Sequence, residues 1–172
     1  MGAEVESRDF SRQDRQRYRA KLHQCLDVFA RMLSESKFDF ERPLTGLEIE
    51  FNLVDERQDP AMRNAEVLAA IADAAFQTEL GQFNIEINVR PRSLVGRAAD
   101  ELESELRASL NAAEEQARSV GAHIVMVGML PTLTPDHLTG EALSANPRYR
   151  LINEQIFAAR GEDLYIHIDG PE

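Results

Sequence analysis

Thr45-Gly46-Leu47-Glu48-Ile49-Glu50-Phe51-Asn52-Leu53-Val54 is the stretch on which the fold turns. Leu47, Ile49, Phe51 and Leu53 hold alternate positions, with Glu48, Glu50 and Asn52 between them. Successive side chains of a strand point to opposite faces, so this is a strand with one apolar and one acidic face. The pattern returns at Phe83-Asn84-Ile85-Glu86-Ile87-Asn88-Val89-Arg90, which Pro91 ends. Strands of a doubly wound parallel sheet are covered on both sides and read as continuous apolar runs. These two do not. A mainly antiparallel sheet, with helices packed on one face and the other face polar and open, accommodates both.

Outward from these strands, the periodicity predicts a helix from Phe10 to Ser34, with Tyr18, Leu22, Cys25, Leu26, Phe29 and Leu33 on one stripe. Cys25 there reads as a small core residue. A second helix is expected from Asn64, as N-cap, to about Gln77. A third spans Ala98 to Ser119 and stops at Gly121, and a fourth opens at Pro147 and runs to about Ala159. His123 to Leu130 reads as an apolar strand buried on both faces, and Leu164 to Asp169 as a fourth strand. The fold class is therefore α+β, as one domain over residues 1–172, with residues 1–8 as a flexible leader.

The formal net charge of -11 argues against nucleic acid and against anionic membrane as partners. A polyanionic nucleotide remains admissible if divalent cations intervene. The single cysteine excludes an internal disulfide, and no stretch reaches the length of a membrane span. The expected compartment is the cytoplasm. Glycine-rich phosphate loops of the Walker or Rossmann kind are absent.

Chemistry is to be sought on the polar face. Glu48 and Glu50, two apart on a strand, project on the same side about 7 Å apart. Glu86 takes the equivalent face of another strand, between Asn84 and Asn88. If the strands are neighbours, carboxylates and amides converge, and a hard cation such as Mg²⁺ relieves their repulsion while leaving room for phosphates. The alternative is a merely solvated sheet face, although asparagine is an uncommon choice for one. Arg148 opens a helix, where the dipole disfavours it, so it is either an anion ligand or an ordinary surface arginine. His167 and Asp169 share a strand face and are either a further pair of site residues or an exposed strand end.

The segment Thr45-Gly46-Leu47-Glu48-Ile49-Glu50-Phe51 resembles the strand that opens the glutamate–cysteine ligase type 2 family. Glu79-Leu80-Gly81-Gln82-Phe83-Asn84-Ile85-Glu86-Ile87-Asn88 is similar to that family's second acidic strand, and Asn146-Pro147-Arg148-Tyr149-Arg150 to its arginine-tyrosine element. The resemblance implies a fold related to glutamine synthetase and an ATP-dependent carboxylate–amine ligase. In that chemistry a glutamate-like acid is activated as an acyl phosphate and captured by an amine such as cysteine. By position, Glu48, Glu50 and Glu86 would be Mg²⁺ ligands, and Asn84, Asn88, Arg90 and Arg148 would line the substrate and ATP side. Members of the family are considerably longer. The resemblance thus implies the N-terminal half of a catalytic domain, inactive or weakly active alone, completed by a missing C-terminal half or by a homo-oligomer. Two rivals stand beside it: a truncated, non-catalytic module that associates with itself or a partner chain, and a metal-dependent hydrolase.

Overall fold

The alternation at 45–54 folds as a strand, and its partner is the second alternating stretch. The computed structural model describes residues 10–38 and 43–160. In chain order the elements are α1 (Arg12–Ser34), β1 (Thr45–Val54), α2 (Asn64–Ile71), β2 (Phe76–Thr78), β3 (Asn84–Arg92), α3 (Ala98–Ser119), β4 (His123–Val125) and α4 (Pro147–Arg160), with two short 3-10 turns at 135–138 and 140–142. The four strands form one sheet in the order β2-β3-β1-β4, and every pairing is antiparallel. The fold is α+β.

The core lies on one face of this sheet. Phe51, Leu53, Ile85 and Ile87 are all but fully buried there, under Val67 of α2 and Ala113 and Ala117 of α3. The alanines of α3 let that helix approach the sheet closely. A second cluster of Val54, Phe83 and Leu130 closes one end. Both helices of this layer sit on the apolar side, as the one-faced alternation requires.

Four elements depart from the sequence expectation. The helix that begins at Asn64 stops at Ile71, because Ala72 turns left-handed at φ 53° and the Asp73 carboxylate takes the Ala75 amide. The chain released there forms β2, whose Phe76 lies against Ile87 in the sheet. Strand β3 runs through Pro91 to Arg92, since the register shifts between Thr45 and Leu47 and leaves Pro91 at a bulge. Strand β4 ends at Val125 and lies at a sheet edge; Met126, Val127 and Met129 are exposed, not buried on both faces. Finally, α1 has its stripe but buries none of it, and Cys25 is exposed. The expected leader at 1–8 and the strand at Leu164–Asp169, with His167, lie outside the described residues.

Two polar pins hold the layers. Burial pushes the Glu114 carboxyl up, but the Ile124 amide at 2.7 Å, Arg118 at 2.8 Å and His123 at 3.1 Å outweigh it and hold the group below its ordinary value. This ties α3 to the edge strand. The second pin is Asn64, which is not an N-cap: Arg63 takes that place, with no side-chain bond. Asn64 is 3 % exposed, and its amide nitrogen faces the Gly81 carbonyl (3.2 Å), the Asn84 carbonyl (3.1 Å) and the Ser144 hydroxyl (2.7 Å). It thereby joins α2, the β2–β3 turn and the loop before α4. Replacing it with Leu strands those acceptors, so Asn64→Leu is expected to lower the unfolding free energy by about 1–3 kcal/mol in urea titration.

Candidate functional site

The polar face is built by the β1–β3 register. Asn52 lies opposite Asn84, Glu50 opposite Glu86, and Glu48 opposite Asn88. Gln77 of β2 extends the middle row beyond Glu86. Directly opposed residues carry their Cβ atoms about 4.5–5.5 Å apart, and like charges so placed repel. The same pairing that buries Phe51 against Ile85 therefore sets two carboxylates face to face.

The outer rows have distinct roles. Asn52, 6 % exposed, accepts from the Asn84 side-chain amide at 2.9 Å and donates to the Val127 carbonyl at 2.8 Å. Asn84, expected on the substrate side, thus spends its donor on holding the end of the face. A Cβ on Gly81 would come within 2.6 Å of the Asn84 side-chain oxygen and 3.0 Å of the Phe83 ring, so a larger residue there would push Asn84 off Asn52. In the other outer row, Asn88 donates to Glu86 at 2.9 Å, while its own amide oxygen is buried with no hydrogen-bond donor. An orphaned acceptor beside two carboxylates calls for a donor or a cation.

A fourth carboxylate joins them. Glu79 follows β2, and its pKa is raised by burial first and then by the charges of Glu86 and Glu50, against the Leu80 amide and Arg148. Sequence reasoning quoted Glu79 within the second acidic motif but gave it no role; the signal was its place seven residues before Glu86. Arg148 reaches this corner because the segment before α4 is stitched to the β2–β3 turn. Gln82 bonds the carbonyls of Glu141 (2.7 Å) and Leu143 (3.0 Å), the Ser144 hydroxyl donates to the Glu79 carbonyl, and Tyr149 donates to the Thr78 carbonyl at 3.0 Å. Tyr149 is buried and holds the Arg148 guanidinium 3.2 Å from its hydroxyl and 5.0 Å from its ring centre.

Glu48, Asn88 and Arg90 line a cleft of about 930 Å³ at the far end of the sheet, against Leu102 and Leu106 of α3. Arg92 lies there too and pairs with Glu105 at 2.6 Å. Of the expected site residues, Glu50 and Glu86 meet directly, Glu48 lies one row along the same face opposite Asn88, and Arg148 is brought to them through Glu79; Arg90 borders the cleft at the end of the sheet.

Residues 44–162 match the model of glutamate-cysteine ligase family 2 (GCS2). The chain belongs to that family. No curated protein and no solved structure matches it. Membership places this GCS2 chain among the ligases, and no described helix is long and apolar enough to cross a membrane.

Among the described residues, no three His, Cys, Asp or Glu side chains converge closely enough to enclose a metal ion. The donor set of the GCS2 face nevertheless suits Mg²⁺, which takes hard oxygens and is commonly bound through one or two carboxylates plus substrate phosphates. The opposed Glu50 and Glu86 offer that kind of partial shell.

Two outcomes follow from this electrostatic load. With divalent cations chelated, Glu50→Gln relieves the cross-strand repulsion and is expected to raise stability by about 0.2–1 kcal/mol in thermal unfolding, even though it removes a site residue. Folded Glu79 holds its proton more tightly than unfolded Glu79, so its contribution to stability falls as pH rises through the unfolded pKa and levels off above the folded one, opposite in sign to that of Glu114. Unfolding curves between about pH 4 and pH 7 should show that loss in wild type and its reduction in Glu79→Gln.

Proposed function

We propose that this GCS2 chain carries the acidic half of an ATP-dependent carboxylate–amine ligase site. The observation that carries the reading is Glu50 directly opposite Glu86 on an open polar face, with Glu79 at its edge. Bound there, Mg²⁺ would neutralise the phosphate charge of ATP and the charge that shifts as a phosphoryl group is transferred. Glu50 and Glu86 would hold it, with Glu48 and Glu79 as the flanking oxygens.

In the reaction, a carboxylate oxygen of a glutamate-like acid attacks the γ-phosphorus and ADP leaves. An amine such as cysteine then attacks the acyl carbon, an amide bond forms, and phosphate departs. The chain's own residues position these partners and do no covalent work. Arg148, held by Tyr149 at the acidic corner, would meet a phosphate or carboxylate there, and Arg90, which borders the cleft at the end of the sheet, would line the substrate side.

Calorimetric titration of Mg-ATP tests the reading, with wild type beside Glu50→Ala and Glu86→Ala. Saturable binding in wild type, weakened at least tenfold by each substitution, is expected; one such step corresponds to about 1.4 kcal/mol. A folded wild-type chain that gives no heat, or variants that bind as wild type does, would leave the face as solvated carboxylates.

A further inference from the structure

Two apolar surfaces of this chain are left uncovered, one on α1 and one on the sheet. Helix α1 is closed at its start by a capping box of Ser11 and Asp14 and yet buries none of its residues. Tyr18, Leu22, Leu26, Phe29 and Leu33, three or four residues apart, share one face and are 45–69 % exposed. Cys25, also exposed, falls within that stripe. An apolar band of this kind marks an interaction surface.

The second surface is the apolar side of the 930 Å³ cleft at the end of the sheet. Leu47, Ile87 and Val89 form its floor, and Leu102 and Leu106 of α3 its wall. Helix α2 stops at Ile71 and does not reach it, so Leu47, Val89, Leu102 and Leu106 stay only half-buried. Leu47 and Leu102 belong to neither core cluster. The charged groups on this side are already engaged: Arg92 pairs with Glu105 at 2.6 Å, and Asp73 takes the Ala75 amide at 2.9 Å. Apolar surface is what remains to be covered.

Proximity selects the occupant. Ten residues separate Ser34 from Thr45, and Gly46 and Leu47, just beyond, already line the cleft. A chain advances at most ~3.3–3.6 Å per residue, so the end of α1 stays within about 40 Å of the cleft. So short a tether sets a local concentration on the order of millimolar. A second copy at ordinary dilution competes poorly with that, and two chains of net charge -11 repel one another.

We propose that α1 folds back on its own chain and lays its stripe in this cleft, closing the apolar side of the sheet. Glu50 and Glu86 lie on the opposite face and stay open. The proposal therefore does not rest on the ligase reading.

The reaction rate of Cys25, the chain's single thiol, with a chromogenic disulfide reagent tests it. Docking should protect Cys25 in the wild type at every protein concentration. Leu22→Glu on the stripe and Leu102→Glu on the cleft wall should each raise the rate about tenfold. Neither side chain belongs to a core cluster, and circular dichroism checks that each variant is folded. A wild-type thiol as reactive as in both variants shows α1 free and overturns the proposal. Protection lost on dilution would place α1 on another copy, and protection indifferent to Leu102→Glu would place it elsewhere on the chain; either overturns it too.

Discussion

Phe51 against Ile85 and Glu50 against Glu86 are two faces of one register. Side chains alternate along a strand, so β1 and β3 cannot bury the first pair without opposing the second. The magnitudes decide which wins. Burial of each large apolar side chain is worth about 1.5–3 kcal/mol, and Phe51, Leu53, Ile85 and Ile87 share it, whereas opposed like charges at a surface cost no more than about 1 kcal/mol. A slip by one residue would move the carboxylates into the core. The acidic face is thus held in a repulsive arrangement by the apolar face behind it, and a cation at that face has electrostatic repulsion to relieve.

The rest of the site depends on contacts remote in sequence. Asn64 and Ser144 are eighty positions apart yet bonded, and with Gln82 and Tyr149 they fasten the loop before α4 to the β2–β3 turn. This stitching sets Arg148 among carboxylates that would otherwise face only one another. It also makes Glu79 part of the cluster, and burial together with Glu86 and Glu50 then raises its pKa. An arginine, a pair of opposed carboxylates and a further half-buried carboxylate are thus gathered at one corner of the polar face.

Helix α1 obeys a different logic. Its capping box and ion pairs, such as Arg17 with Asp14 at 2.7 Å, are local and exposed, and solvent screening leaves each of them weak. An isolated helix in water is marginal without tertiary burial, and α1 has an apolar stripe suited to it.

Both alternating strands, the span of α3 and the one-faced sheet were legible in the sequence, because a period of two and a period of 3.6 are imprinted locally by burial of one face. Glu50 and Glu86 were legible too, as polar residues in otherwise apolar strands, and the family motif lay on them. The short strand β2 was not: its three residues carry no period of their own, and the left-handed turn at Ala72 that frees them interrupts an apolar run that reads as helix. The apolar residues after His123 read as a buried strand, although β4 ends at an exposed edge. Most of all, sequence alone left open which strands are neighbours, so it could name carboxylates on polar faces without opposing them. Pairing, the stitched loop and the recruitment of Glu79 and Arg148 were decided by tertiary structure, because each is a contact between residues too far apart in the chain for any local pattern to record.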